Sequence, residues 1–176
     1  GQMMKATMKK YPKYFLNLKQ KLNLEIKRNN IIIARNKYRT NVGKAWPDDR
    51  KIKIPIIKDI ESVYIVLHEI AHVILNHGEN CLKPTYIIEM EAERHALSIF
   101  KKWDIHKLFP EDFLKIKKRA ERYVRWNIIY EIQRSLHDAD HILQLKNINI
   151  TALRFSNIRK FQNKKVQLNK NKKTFK

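Results

Sequence analysis

The longest apolar stretch of the chain lies between Ile60 and Leu75 and predicts a buried helix. At 3.6 residues per turn its apolar side chains cover almost every face: Val63, Ile65, Val66, Leu67, Ile70, Ala71, Val73, Ile74 and Leu75. Asp59 is suited to the N-cap, and Gly78 is suited to the left-handed residue that often ends a helix. We therefore expect a helix from about Ile60 to His77.

The flanking patterns predict further helices and two strands. Apolar residues at helical spacing predict an amphipathic helix from about residue 9 to residue 27. Ile31–Arg35 is rich in β-branched residues, and Lys51–Pro55 alternates apolar with polar, so each predicts a short strand. Two more helical patterns follow, one from Thr85 to about Trp103 and one from Phe109 toward residue 137.

The order of these elements predicts an α+β fold. It would be mostly helical, with a small antiparallel sheet packed on the buried helix, and the polar stretch around Gly43 and Pro47 would form turns. A length of 176 residues suits one domain, which we place at residues 1–150. From Arg154 onward there are nine Lys or Arg and no acid, so residues 151–176 predict a mobile basic tail.

The buried helix carries an H-E-x-x-H motif at His68, Glu69 and His72. Residues four apart lie on one face of a helix, so both imidazoles can reach a single metal ion. Glu69 directly follows His68 on the helix and therefore flanks this face, where it can take a proton from a water at the metal. Burying these groups without partners would cost roughly several kcal/mol, which favours metal binding. A hydrogen-bonded polar cluster without metal is the alternative.

A catalytic zinc commonly takes three protein ligands, so a third ligand must be found. In the H-E-x-x-H-x-x-G-x-x-H class it would fall at Gly78, and His77 would lie on a different face of the helix. The following helix instead offers Glu89 and Glu93, one turn apart, while Glu91 projects elsewhere. We expect Glu89 as the ligand and Glu93 as the acceptor of an imidazole N–H. A solvated acidic face is the alternative reading.

This arrangement resembles a known family. H-E-I-A-H, followed by Val-Ile-Leu-Asn-His and then E-x-E-A-E-x-x-A, is similar to the ImmA/IrrE family of gluzincin metallopeptidases. The resemblance implies that His68, His72 and Glu89 bind zinc and that Glu69 is the general base. It also implies a compact fold with a small sheet, and the named family members cleave DNA-binding repressors.

The resemblance covers about Ile54 to Phe100 and departs from the family pattern at two positions. Glu93 stands where the family has Asn or Asp, and His95 stands where it has Phe. A zinc peptidase also needs a donor for the oxyanion, commonly a Tyr, His or Arg near the metal. Tyr86 and His95 on the second helix are candidates, although packing and a surface position are their simpler explanations.

The formal charge of +21 is far from zero. It indicates either an anionic partner such as nucleic acid or a general bias toward Lys, Asn and Ile. Candidate nucleic-acid contacts are Arg119, Arg122, Arg125, Lys164 and Lys165. A second histidine pair, His137 and His141, has the spacing for another metal site, but a solvated helix end explains it more simply.

Two functions follow from these patterns. The first is a zinc metalloprotease that acts on an intracellular protein, with a DNA-bound protein or repressor as one substrate class. The second is a nucleic-acid-binding or assembly protein on a peptidase-like scaffold, with a structural metal or none. Cys81 is the single cysteine, and no apolar run approaches the roughly 20 residues of a membrane span. A soluble cytoplasmic protein without a membrane partner is therefore expected.

Overall fold

The structure is a computed structural model that describes residues 5–134 and residue 155. Its elements in chain order are α1 (Pro12–Arg28), β1 (Ile32–Ala34), β2 (Lys44–Trp46), the short 3-10 helix η1 (Pro47–Asp49), β3 (Lys51–Lys53), α2 (Ile60–Ile74), α3 (Thr85–Lys102), α4 (Ile105–Leu108) and α5 (Pro110–Arg134). The fold is mostly helical with one small sheet, in agreement with the predicted α+β class.

The sheet has the order β1-β3-β2 and is mixed rather than antiparallel. β3 is antiparallel to β2 but parallel to β1, with Ile33 opposite Ile52. The predicted antiparallel sheet was therefore wrong. Parallel strands need a crossover connection, and residues 35–50 provide it, carrying β2 and η1 on the way. The sequence had predicted turns where β2 lies, because three residues are too few to show a strand periodicity.

The start of α2 is fixed by Asp59, as predicted. The Asp59 side chain accepts the backbone N–H of Ser62 at 2.8 Å, and the Ser62 hydroxyl faces the backbone N–H of Asp59, which completes a capping box. Asp59 also pairs with the Lys5 ammonium at 2.9 Å and is 5% exposed. Burial on its own would raise the pKa of Asp59, but Lys5 and the Ser62 N–H outweigh it and hold the pKa below its ordinary value.

The end of α2 differs from the prediction. The helix stops at Ile74, with Leu75 as its C-cap, and the left-handed residue is Asn76, with φ 56°. Asparagine tolerates this conformation better than other residues with a side chain, which explains how it can replace glycine here. Gly78 has a different role. A Cβ at Gly78 would overlap the carboxylate of Asp48, so the absence of a side chain allows η1 to pack on this turn.

α2 packs against α1 on one side and against β2, β3 and η1. The buried face of α1 consists of Phe15, Leu18, Leu22 and Ile26. The buried residues of α2 are Ile60, Ser62, Val63, Tyr64, Val66, Leu67, Ile70, Ala71 and Val73. Ile52 of β3 is fully buried as well, so these residues form the part of the core that α2 shares with α1 and the sheet.

The chain divides into two compact units. Among the described residues, the first contains residues 5–83 and 91–118, and the second contains residues 84–90 and 119–134. The predicted boundary at residue 150 lies outside the described residues. Within residues 5–134, no helix is both long enough and apolar enough to cross a membrane.

Replacing Asp59 tests the cap of α2. Asp59→Ala should lower the free energy of unfolding by about 0.5–2 kcal/mol, because it leaves the first turn without its side-chain acceptor. Asp59→Asn is the matched control, since asparagine caps helices equally well but does not attract Lys5. In urea unfolding, wild type should be the most stable protein, Asp59→Asn should be less stable and Asp59→Ala should be the least stable. If the alanine variant is as stable as the asparagine variant, the capping argument is wrong.

The same pair predicts a pH dependence. The pKa of Asp59 is lowered in the folded protein, so its charge stabilises the fold above the unfolded pKa of about 3.9. As the pH falls through the folded-state pKa, that contribution is lost. The stability advantage of wild type over Asp59→Asn should therefore disappear in acid and be constant near neutral pH, as measured by urea unfolding at a series of pH values.

Candidate metal centre

His68 and His72 face each other on one side of α2. Their Nε2 atoms lie 3.0 Å apart, and the rings are nearly perpendicular, with centroids 4.7 Å apart. The spacing of four residues produces this geometry, because successive turns of a helix place such side chains one above the other. Two imidazole nitrogens at this separation form either a hydrogen-bonded pair or two ligands of one ion.

Glu89 of α3 completes a group of three possible ligands. One donor atom from each of His68, His72 and Glu89 lies within 4.8 Å of the others, and no other group of three His, Cys, Asp or Glu in the described chain meets this distance criterion. Glu89 lies one helical turn before Glu93 on α3. The predicted convergence of these three side chains is therefore present.

The three residues fit a divalent metal ion. A tetrahedral ion with Zn–N distances near 2.0–2.1 Å needs donor atoms about 3.3 Å apart, close to the 3.0 Å between the two Nε2 atoms. If neither Nε2 carried a proton, their lone pairs would repel each other, and a cation between them would remove that repulsion. Two imidazoles and one carboxylate form a donor set that zinc commonly takes at catalytic sites.

His68 has a second partner at its other ring nitrogen. Its Nδ1 lies 3.2 Å from Oε1 of Glu93, whose other carboxylate oxygen accepts a hydrogen bond from the Tyr64 hydroxyl. Glu93 is only 6% exposed. An ionised carboxylate can only accept, so a hydrogen bond here requires a proton on Nδ1 of His68 and leaves the Nε2 lone pair directed at His72. Glu93 has the placement expected for it.

His72 also has a partner behind it. Its Nδ1 lies 3.0 Å from Nδ1 of His77, and Nε2 of His77 lies 3.5 Å from Oε1 of Glu91. The sequence placed His77 on a continuing helix and on a different face from a third ligand. In the structure the helix ends before His77 and the chain turns back, so its ring lies behind His72. Burial is the largest influence on His77 and lowers its pKa; nearby His72 lowers it further, and Glu91 opposes both.

Glu69 lies against the chain that leads into β2. A Cβ at Gly43 would be 2.8 Å from Cγ of Glu69 and 2.8 Å from Cγ2 of Ile65. Real Cβ atoms do not approach other carbons this closely, so only glycine allows the backbone to pass at this distance. The backbone at Gly43 thus limits where the Glu69 side chain can go.

Tyr86 and His95, the two candidate oxyanion donors, differ in how deeply they are buried. Tyr86 is fully buried, and burial, with a smaller contribution from Glu131, raises its pKa well above the usual range. This matches the simpler packing explanation rather than a hydroxyl open to a substrate. His95 is partly buried, and burial lowers its pKa while Glu25 of α1 opposes the shift.

The predicted nucleic-acid contacts are covered only in part. Arg119 and Arg122 are exposed on α5, and Arg125 is half-buried on the same helix. Lys164, Lys165, His137 and His141 lie outside the described residues. Cys81 is a free, partly exposed thiol in the segment between α2 and α3.

This chain has no match among protein-family models, curated proteins or solved structures. What the site can do must therefore be inferred from its own side chains. Two imidazoles whose Nε2 atoms face each other and a carboxylate within reach form a donor set that suits a divalent metal ion.

Sequence reasoning missed three residues at this site: Tyr64, His77 and Gly43. Tyr64 could have been found, because it precedes His68 by four residues and therefore lies on the same helical face. Asn76 was a usable signal for His77, since an asparagine after an apolar helix can take the left-handed turn that ends it. No signal in the sequence marked Gly43, because its role depends on a contact between segments that are 26 positions apart.

The close approach at Gly43 predicts the effect of adding one methyl group. Gly43→Ala should destabilise the protein by about 1–3 kcal/mol, because Glu69 and Ile65 or the strand backbone must move to make room. The backbone at Gly43 does not have a positive φ, so strain of that kind does not contribute. Urea unfolding measures the change. Asn41→Ala, an exposed change in the same loop, is the control and should stay within about 0.5 kcal/mol of wild type.

Proposed function

We propose that this protein is a zinc-dependent metallopeptidase that hydrolyses an intracellular protein. The observation that carries the proposal is the convergence of donor atoms from His68, His72 and Glu89 within 4.8 Å, with Glu69 next to His68 on the same helix. A donor set of two imidazoles and a carboxylate leaves the fourth position of a tetrahedral ion for water or substrate, which is the arrangement of catalytic rather than structural zinc.

Each residue then has a separate task. His68, His72 and Glu89 would hold the ion, which when bound supplies Lewis acidity toward water and the peptide carbonyl. Glu69 would accept a proton as the water oxygen attacks the carbonyl carbon, and would then pass that proton to the amine as the C–N bond breaks. Glu93 and Tyr64 would keep the imidazole of His68 in the tautomer whose Nε2 can bind metal.

The substrate class follows from the resemblance and from the charge of the chain. The resemblance to ImmA/IrrE peptidases supports a DNA-bound protein or repressor as substrate. The charge of +21 is compatible with a protein that works close to nucleic acid. A basic protein would be attracted to DNA and so be concentrated near substrates already bound there.

A second candidate function is nucleic-acid binding, and one feature of α5 supports it. Tyr123, Trp126 and Tyr130 form a ladder of stacked rings, with centroids 6.4 Å and 5.7 Å apart, and they are 44%, 56% and 40% exposed. Arg119 and Arg122 lie on the same helix. Aromatic faces beside basic groups are suited to stacking with the bases of a single strand.

Paired substitutions distinguish the base from a ligand. Glu69→Gln should retain stoichiometric zinc but lose cleavage of a quenched fluorescent peptide library, because an amide cannot accept the proton. Glu89→Gln should lose zinc affinity as well, since a neutral amide is a weaker ligand. Metal content by mass spectrometry and peptide cleavage are measured on both. Undiminished cleavage by Glu69→Gln would exclude the mechanism, and a wild-type protein that does not retain zinc would exclude the proposed function.

The aromatic ladder can be tested separately from the metal. Trp126→Ala should weaken binding of a labelled single-stranded oligonucleotide by about 5–150-fold, the equivalent of roughly 1–3 kcal/mol for one stacked base. Binding should fall steeply with salt and be indifferent to a chelator if this surface acts alone. Tyr38→Ala, which removes an aromatic ring that is 80% exposed in a loop, is the control. Equal binding by wild type and Trp126→Ala would exclude this role.

A further inference from the structure

His77 is positioned by the turn that ends α2. After Asn76 takes a left-handed conformation, the backbone N–H of His77 donates to the carbonyl of His72 at 3.0 Å. The chain therefore folds back along the last turn of the helix. The side chain of His77 is only 1% exposed, and its Nδ1 lies 3.0 Å from Nδ1 of His72.

The neighbouring segment holds this turn in place. The Asp48 carboxylate of η1 occupies the space where a side chain at residue 78 would begin, and it accepts the backbone N–H of Glu79 at 3.0 Å. The two residues that follow His77 are thus tied to the short helix before β3. Hydrogen bonds from the backbone N–H of His77 to His72 and from that of Glu79 to Asp48 hold both ends of the turn, so the His77 ring has little freedom to move.

The far side of the His77 ring faces a charged pair. Its Nε2 lies 3.5 Å from Oε1 of Glu91, and both carboxylate oxygens of Glu91 lie 2.9 Å from the ammonium of Lys83. The four side chains form a row, from Lys83 through Glu91 and His77 to His72. The partly exposed end of the row carries the charges, and its inner end is the imidazole nearest the candidate metal.

We propose that His77 is a positioning residue that holds the imidazole of His72 with Nδ1 protonated and Nε2 directed at the metal. This inference rests on the proposed metal centre. If Nε2 of His72 is to bind metal, its proton must be on Nδ1, so Nδ1 of His77 must accept it. The proton of His77 then lies on Nε2, which is the atom that faces the Glu91 carboxylate.

The geometry excludes a direct ligand role for His77 at the same ion. His77 approaches His72 at Nδ1, whereas His68 approaches the same ring at Nε2. The two ring nitrogens point in divergent directions, so an ion bound at Nε2 is out of reach of His77. The centre would then have an outer partner for each imidazole: a carboxylate, Glu93, for His68 and a neutral imidazole, His77, for His72.

A substitution of similar volume tests this role. In the full-length protein, His77→Phe should lower zinc affinity by about 10–100-fold, the usual effect of losing an outer partner of a ligand, as measured by competition with a chromophoric chelator. His77→Gln retains an acceptor in its side-chain carbonyl and should recover part of the affinity. The visible spectrum of the Co²⁺-substituted protein should change in His77→Phe, since the ligand field depends on how His72 is held. His106→Phe, a histidine of α4, is the control.

Nitrogen NMR of the wild-type, zinc-loaded protein gives an answer that does not depend on any variant folding. We expect a proton on Nδ1 of His72 and a scalar coupling across the hydrogen bond to Nδ1 of His77. A proton on Nε2 of His72, or zinc affinity in His77→Phe equal to wild type, would overturn the role of His77 while the metal centre stands. If the wild-type protein binds no zinc, the proposed function and this role both fail, and the two kinds of failure are thereby distinguished.

Discussion

The arrangement around α2 depends on one constraint: two imidazole nitrogens, on His68 and His72, are held 3.0 Å apart in a largely buried environment. Two lone pairs cannot share that space without a proton or a cation between them. The partners of the two Nδ1 atoms therefore decide where the ring protons lie and whether both Nε2 atoms can bind one cation. Both partners come from outside α2: Glu93 lies on α3, and His77 lies on the turn after the helix. Because neither partner contacts an Nε2 atom, both Nε2 atoms remain directed at each other, and Glu89 has a carboxylate oxygen within 4.8 Å of a ring nitrogen of each histidine.

α3 brings three carboxylates to this region with different surroundings. Glu89 and Glu93 are one turn apart and therefore share a face, one grouped with both histidines and the other facing Nδ1 of His68. Glu91 is about 200° round the helix from each, and it meets Lys83 and His77 instead. Three glutamates in five positions would repel one another on a solvated surface. Here each has a different neighbour, so a run that resembles a simple acidic patch forms several distinct contacts.

The parts of the fold that depend on local patterns agree with the prediction, and the parts that depend on distant contacts do not. α1, α2 and α3 begin and end within a few residues of their predicted bounds, and Asp59 caps α2, because capping and helical periodicity involve neighbours in sequence. The short helix α4 was not predicted. The parallel pairing of β1 with β3 was missed, since strand direction depends on the route of the connecting chain. Gly78 was assigned a left-handed turn that Asn76 takes, because both residue types suit such a turn. Gly78 instead lies against the carboxylate of Asp48.

For the candidate centre, the sequence by itself determined which residues could share a face. Four-residue spacing places His68 above His72, and the same spacing relates Glu89 to Glu93, whatever surrounds the helices. Only the tertiary structure decided how these faces meet and what lies behind them: the return of His77 onto His72, and the approach of Gly43 to Glu69. The physical reason is that helix geometry is set by hydrogen bonds between residues four apart, whereas contacts between turns and loops depend on how the whole chain packs.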